Sequence, residues 1–308
     1  MQIYQTLTPV SAPQGSAVAL GYFDGVHCGH RAVLGTAADY AAHHGLTAAA
    51  FTFELPGDNS LKGGRILSLA QKHTRVAQLG IAQYWEPSFE EFRALSPKDF
   101  VRRVLVDCFH AKAVFCGDNF TFGAYAAGNV ALLEQLCAPY GITVDVVPMA
   151  QYGGQTVSST RIRAALEEGR LDDANAMLGK PYAIDWPVTH GKGIGSGKLG
   201  TPTINQNYPA EALQPCTGVY LTRILLDGAW RPAATGIGRR PTVDSSVNAA
   251  VTCETFVPDY TGNVYGQTPL LEFHKYLCPV RKFGSMDELA ALIHHAAEES
   301  KAYFAAQH

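Results

Sequence analysis

Ala17-Val-Ala-Leu20-Gly21-Tyr-Phe-Asp-Gly25-Val-His27-Cys-Gly29-His30-Arg31-Ala-Val-Leu34 is the stretch whose texture decides the fold. Four apolar residues read as a buried strand, glycines at 21, 25 and 29 break it, and Arg31 to Leu34 opens a helix. Strand, glycine turn, helix is the first half of a βαβ unit. A helix beginning near Gly29 aims its backbone N–H groups and its positive end at one spot, where anions collect. Gly25 and Gly29 let a phosphate approach the backbone closely. His27 and His30 are spaced to face it together, and as donors they can stabilise charge building on an α-phosphate during direct displacement. No covalent intermediate is needed.

Outward from this stretch the βαβ rhythm continues. Thr47–Phe53, Val114–Cys116 and Ile142–Val147 are strand candidates. Ser96-Pro97 reads as an N-cap and first-turn proline ahead of a helix with Phe100, Val101, Val104, Leu105 and Cys108 on one face. An α/β, Rossmann-like domain with a parallel sheet is expected. Ser158 to Gly179 is helical and charged, with a break at Gly169, and the domain junction is expected near Pro181, giving domains 1–181 and 182–308. Beyond Tyr182 short alternating segments such as Gly218–Leu226 and Leu270–Phe273, separated by Gly and Pro turns, predict a small antiparallel β-barrel. A closing helix runs from Met286, with Leu289, Leu292 and Ile293 at helical spacing.

Composition sets the bounds. A chain of 308 residues exceeds what one core usually serves, so two domains are expected. Apolar residues at 47% against charged residues at 17% exclude a mostly disordered chain. A net charge of −3 gives no basic footprint, so small molecules are the expected partners, with no nucleic acid and no membrane. Met1 to Val10 has no basic region followed by an apolar core, and no apolar run is long enough to span a bilayer, so a cytoplasmic location is expected. Seven scattered cysteines without a Cys-x-x-Cys pair read as reduced thiols rather than a disulfide framework or structural zinc, Cys28 being a space-filler within its motif.

Further clusters carry chemistry. Ser158-Ser-Thr-Arg-Ile-Arg163 sets the hydroxyls of Ser159 and Thr160 and the guanidinium forks of Arg161 and Arg163 at a helix start, a combination suited to polyphosphate. Phe115-Cys-Gly-Asp-Asn119-Phe-Thr-Phe-Gly123 mixes carboxylate, amide and aromatics after a strand, as a planar ring with a polar edge requires; packing explains the phenylalanines equally well. Gly191-Lys-Gly-Ile-Gly195-Ser-Gly-Lys198-Leu-Gly200 can wrap a phosphate chain. Directly after it come Thr203 and Asn205, a hydroxyl and an amide oxygen able to ligate a hard cation alongside ATP oxygens.

With Arg65-Ile-Leu-Ser-Leu69 and Leu95-Ser-Pro-Lys-Asp-Phe100 between them, the three N-terminal motifs resemble the bacterial bifunctional riboflavin kinase/FMN adenylyltransferase (FAD synthetase) family. The similarity runs through nearly the whole chain. It implies an N-terminal nucleotidyltransferase domain moving AMP from ATP to FMN, and a C-terminal riboflavin kinase-like barrel phosphorylating riboflavin, both with Mg²⁺. By resemblance the ATP-phosphate turn comprises Gly21, Phe23, Asp24, Gly25, His27, Gly29 and His30. Asn119 lies at the flavin or nucleotide site, and Ser159, Thr160, Arg161 and Arg163 complete the ATP site. In the kinase half, Thr201-Pro-Thr203-Ile-Asn205 resembles the Pro-Thr-x-Asn signature. Gly218-Val-Tyr220, Gly238-Arg-Arg-Pro-Thr242 and Glu254 follow in the family's order, with Glu254 as catalytic base toward the ribityl hydroxyl. Departures are Glu54-Leu-Pro-Gly-Asp58 where the family carries Pro-His-Pro, Thr201 for an aromatic, and Cys278 and Val280 for an arginine and a glutamate. They keep two alternatives open: an adenylyltransferase with a weak or inactive kinase half, and a non-catalytic flavin-nucleotide binder.

Overall fold

The computed structural model describes residues 1–9, 14–55, 64–190, 203–239, 251–279 and 286–306. Gly191, Gly195, Lys198, Gly200, Thr201 and Val280 lie outside the described residues, as does most of the Glu54–Asp58 departure. Packing divides the chain into two compact units, Met1–Gly63 with Leu69–Ser159, and Gly64–Ser68 with Thr160–His308.

The first unit is built on a six-stranded sheet of β1 (Gln2–Tyr4), β2 (Ser16–Leu20), β3 (Thr47–Phe51), β4 (Gln83–Trp85), β5 (Ala111–Gly117) and β6 (Thr143–Val147), in the order β1-β4-β3-β2-β5-β6. Every pairing in it is parallel, as the βαβ rhythm predicts. All five residues of β2 are buried, which a central strand covered on both faces requires. Helix α1 (Cys28–His44) follows β2, burying Val33, Leu34, Ala37 and Ala41 and stopping at left-handed Gly45. The chain proceeds from β2 to β3 and β4 on one side, and later to β5 and β6 on the other. The direction of winding thus reverses between β2 and β5, and ligands of open α/β sheets bind in the crevice at such a point, beyond the carboxyl ends of the strands.

Helix α2 (Leu69–Ala77) precedes β4, and α4 (Val130–Cys137) precedes β6. Between β4 and β5, Ser96 caps α3 (Pro97–Phe100) by accepting from the Asp99 N–H at 3.1 Å and donating to the Asp99 carboxylate at 2.6 Å. The helix continues as a wider π-helical segment over Val101–Cys108. The predicted face, Phe100, Val101, Val104, Leu105 and Cys108, is buried in one core with Phe51, whose ring meets Phe92, Phe100 and Phe109 edge-on. The hairpin of β7 (Gln151–Tyr152) and β8 (Gln155–Thr156) completes the unit.

The second unit takes α5 (Ser159–Glu167) from Thr160 onward, its first residue belonging to the first unit, and then α6 (Leu171–Leu178), the two helices separated by left-handed Gly169 where the break is predicted. Seven antiparallel strands follow: β9 (Tyr182–Ile184), β10 (Val188–Thr189), β11 (Thr203–Asn207), β12 (Gly218–Leu226), β13 (Ala229–Arg239), β14 (Val251–Phe256) and β15 (Leu271–Pro279). Their order is β10-β11-β14-β13-β12-β15-β9, so the two edge strands are consecutive in the chain. Four Cα steps from Ile184 to Val188 reach at most ~15 Å. A flat seven-stranded sheet would hold its edges ~29 Å apart. The sheet is therefore curled, the barrel-like form that the alternating segments predict. Asn175 clasps two of its strands, donating to the Phe273 carbonyl at 2.9 Å and accepting from the Tyr182 N–H at 2.7 Å.

Inside the curl Thr222, Thr235 and Thr255 form a buried hydroxyl ladder, with Oγ1 separations of 2.8 and 2.9 Å, and Thr222 donates on to the Ala233 carbonyl at 3.0 Å. Thr235→Val breaks both links of the ladder, so it should cost about 1–3 kcal/mol in denaturant unfolding although the replacement is isosteric. The closing helix α7 (Met286–Ala305) seats Ala296 and Ala297 against Ala234 and Phe256, and Ser300 donates to the Thr222 carbonyl at 2.9 Å.

Candidate active sites

At the carboxyl end of β2 the chain turns sharply. Phe23, Gly25 and Val26 all have positive φ, 54°, 83° and 43°. For a β-branched residue such as Val26 that conformation is strained, a state that persists only where the surroundings enforce it. His27 then caps α1, its Nδ1 accepting from the His30 N–H at 3.3 Å. With Nδ1 an acceptor, the neutral His27 ring carries its proton on Nε2 and can donate outward from there. A Cβ at residue 29 would lie 3.3 Å from the His27 ring, so glycine there leaves this ring its place.

The rings of His27 and His30 stack at 3.5 Å, and the edge of Phe23 meets His30. Ser159 donates to the Asp24 carbonyl at 2.9 Å, tying the start of α5 to the turn. Asn119 is exposed just past β5, on the other side of the winding reversal. Gly21, Phe23, Asp24, Gly25, His27, Gly29, His30 and Ser159 are therefore brought together, and Asn119 stands at the neighbouring strand end. Thr160, Arg161 and Arg163 sit in the first turns of α5 within the second unit, where Arg163 donates through Nε to the Gly64 carbonyl at 2.9 Å.

Burial lowers the pKa of His27 from 6.5 to about 4, against the opposing pull of its backbone hydrogen bond. Burial, then the charges of His27 and Lys72, hold His30 well below the ordinary histidine value. Both rings are neutral donors at pH 7, and the buried Nδ1 of His30 has no partner. An unfolded chain takes up a proton on His27 below pH 6.5 and the folded one only near 4, so stability rises with pH across that window. The span is on the order of 3 kcal/mol. Urea midpoints measured from pH 4 to 7 should show this slope, and His27→Gln should flatten it.

In the second unit, β11 lies beside β14 with Asn205 directly opposite Glu254 and Thr203 opposite Phe256. Opposed residues of antiparallel strands share a face, and so do residues two apart. Thr203, Asn205 and Glu254 therefore converge on one side of the sheet. Asn205 donates through Nδ2 to the Thr203 hydroxyl at 3.3 Å and the Thr203 carbonyl at 3.0 Å. On the far side of Glu254 stands Gly236, where among the described residues a Cβ would meet nothing closer than a backbone oxygen at 4.0 Å, so they leave a gap beside the exposed carboxylate. Cys278 is half-buried opposite Val219. A cleft of about 560 Å³ lined by Gly64, Glu167, Leu213, Cys216 and Val251 contains none of the predicted site residues.

Two features were not legible beforehand. Gly236 gains meaning only from the register that sets it beside Glu254. Lys72, Thr52 and Glu86, a buried polar group at the foot of the phosphate turn, are far apart in sequence, and Lys72 carries no local mark that separates it from a solvated helix lysine.

The comparisons with known proteins fall on the same two regions. A family model for FAD synthetase matches residues 10–161, and one for riboflavin kinase matches residues 178–304. Relatives named bifunctional riboflavin kinase/FMN adenylyltransferase include that of Bacillus subtilis (strain 168), 33% identical over 94% of this chain and 92% of its own. That of Pseudomonas fluorescens is 32% identical over 91% and 90%, and that of Escherichia coli (strain K12) 32% over 92% and 91%. A solved structure described as a macrolide-efflux protein from Streptococcus pneumoniae matches with a TM-score of 0.85 at 25% identity, over 97% of this chain and 98% of that one. Among the described residues no helix is long and apolar enough to cross a membrane. Matched in both halves by their own models, and to relatives along almost their full length, this chain belongs to the bifunctional riboflavin kinase/FMN adenylyltransferase family.

Proposed function

We propose that this chain makes FMN from riboflavin in residues 182–308 and FAD from FMN in residues 1–181, spending one ATP on each step. The observation that carries the reading is the winding reversal between β2 and β5, which sets the strained His27/His30 turn beside Asn119 where a nucleotide belongs.

In the first half a phosphate oxygen of FMN attacks the α-phosphorus of ATP, the bond from that phosphorus to the bridging oxygen breaks, and pyrophosphate leaves. His27 through Nε2–H, and His30 beside it, donate to the α-phosphate as charge grows there; being neutral and buried, they need no reorganisation to do so. Gly25 and Gly29 admit the phosphate chain, with Gly21, Phe23 and Asp24 shaping the turn. Ser159, Thr160, Arg161 and Arg163 hold the β- and γ-phosphates, and Asn119 holds a polar edge of the flavin or the nucleotide.

In the second half Glu254 accepts the proton of the terminal ribityl hydroxyl as its oxygen attacks the γ-phosphorus and ADP leaves. Gly191, Gly195, Lys198 and Gly200 wrap the phosphates. Thr203 Oγ1 and Asn205 Oδ1 are hard oxygen donors that fit Mg²⁺, which takes few protein ligands and completes its shell with phosphate and water. When bound, Mg²⁺ neutralises charge on the transferring phosphates.

The test is to incubate the purified protein with ATP, Mg²⁺ and either riboflavin or FMN and to separate the flavins by chromatography. FMN and FAD from riboflavin, and FAD from FMN, are expected. FAD from FMN alone would reduce the reading to an adenylyltransferase, and unchanged flavin retained in both reactions would make the protein a binder.

A further inference from the structure

Beneath the phosphate turn lies a polar group that neither half-reaction uses. Lys72 on α2 and Glu86 just past β4 form an ion pair of 2.8 Å with side chains only 8% and 4% exposed. His73 donates through Nε2 to the other carboxylate oxygen at 2.8 Å, and the Tyr84 hydroxyl donates to the first at 3.4 Å. Lys72 also donates to the hydroxyl of fully buried Thr52 at 3.4 Å, and that hydroxyl donates to the Tyr22 carbonyl at 2.8 Å. The ammonium stands 5.3 Å from the centre of the Tyr22 ring. Tyr22 is the second residue of the turn.

A buried ion pair is a poor way to stabilise a fold, because removing two charges from water offsets most of their attraction, and apolar side chains of equal volume do as well or better. Its placement is a better explanation. Glu86 remains ionised in spite of its burial, its pKa lowered to about 2 by hydrogen bonds from His73 and Lys72 and by their charges. A fixed carboxylate therefore holds a fixed ammonium, and the ammonium occupies a lone pair of a hydroxyl whose proton is donated to the Tyr22 carbonyl, with the Tyr84 hydroxyl beside it.

We infer that Lys72 is a positioning residue for adenylyl transfer: through Thr52 it pins the Tyr22 carbonyl and thereby the turn that presents His27 and His30, while Glu86 holds Lys72 in place. Lys72 touches no reacting atom in this scheme. The inference rests on the proposal that FAD is made at this turn. A second effect follows from the charge itself. Of the two titratable groups that act on the His30 ring, His27 is neutral at pH 7, and the cation of Lys72 makes protonation of His30 harder.

The experiment uses the full chain carrying Lys72→Met, Thr52→Val, both together, or Lys72→Arg, with riboflavin phosphorylation by the same molecules as the control for folding. Lys72→Met leaves Glu86 its hydrogen bond from His73 at 2.8 Å, and the riboflavin kinase control reports any cost to folding. Expected is a fall in kcat/KM for FAD formation on the order of 10–100-fold, the usual effect of misplacing reacting groups by a fraction of an ångström. Thr52→Val should lose a similar factor, and the double variant no more than the worse single one, because the two residues act in series. Lys72→Arg should recover part of the loss. NMR of labelled histidine should find the His30 pKa raised in Lys72→Met and unmoved in Thr52→Val, while the loss confined to FAD formation, with riboflavin phosphorylation intact, separates positioning from a general loss of structure. Wild-type FAD synthesis in Lys72→Met, or losses that multiply in the double variant, would overturn the inference. If Lys72→Met fails to fold, Thr52→Val decides, and an unchanged rate sinks the idea. Should the parent protein make no FAD at all, the functional reading fails and the inference falls with it, whereas an active parent beside an equally active Lys72→Met fails the inference alone.

Discussion

His30→Ala should stop FAD formation from FMN while leaving FMN formation from riboflavin at its normal rate. Neutral, preorganised donors at a developing oxyanion contribute on the order of 10²–10³ in kcat each. His30 also stacks on His27 at 3.5 Å, so the alanine variant strips one face of the neighbouring ring of its support, although the backbone N–H of residue 30 still donates to His27 Nδ1. The joint loss should therefore exceed that of a single donor and approach the limit of detection. Folding is a weak objection. The Nδ1 of His30 is buried without a partner, so its removal takes away an unsatisfied polar atom even as it opens a small void. The kinase half of the same polypeptide serves as the internal control, read by the chromatographic separation of riboflavin, FMN and FAD. Loss of both activities in a folded variant would dissolve the proposed division of labour, and full FAD synthesis would remove His30 from the chemistry.

Much of this was legible in the sequence because the decisive signals are local. Ala17 to Leu20 followed by spaced glycines fixes a strand, a turn and a helix start within about a dozen residues, and the structure has β2, the turn and α1 there. Ser96-Pro97 announces its helix by capping chemistry, and Ser96 makes the capping bond. The sequence does not announce that this helix widens over Val101–Cys108, since the same apolar face satisfies either winding. Strand β3 stops at Phe51, two residues short of the run Thr47–Phe53, although the Thr52 N–H still donates to the Trp85 carbonyl at 2.9 Å, so the apolar run outlasts the regular strand but not its pairing. Short strands such as β1 and β4 carry too few residues to show a period of two. Gly64–Ser68 packs with the second unit through Arg65, whose N–H and carbonyl pair with Glu211 and Leu213, an association nearly 150 residues away along the chain and invisible to any window. The same holds for Lys72 and Glu86: distant partners turn an ordinary lysine into a buried one.

Glu254→Gln should produce the reverse phenotype, an FMN to FAD activity that continues normally and a riboflavin kinase activity reduced on the order of 10²–10⁴-fold. The exchange keeps size and shape and removes only the ability to take a proton. Position makes the base assignment specific. Along β14 the buried neighbours Cys253 and Thr255 face inward, while Glu254 faces out, opposite Asn205 on one side and Gly236 on the other. A strand glutamate kept merely for solubility has no need of an open gap beside it, or of an amide and a hydroxyl on the same face. Because the carboxylate is exposed, the glutamine variant should unfold within about 0.5 kcal/mol of the parent, so a kinetic loss cannot be laid to instability. Gly236→Val offers an independent arm: filling the gap beside Glu254 should raise KM for riboflavin more than it lowers kcat, since it obstructs the substrate and leaves the base intact. Kinase turnover undiminished in Glu254→Gln would return this carboxylate to the solvated surface and oblige the proton to leave by another route.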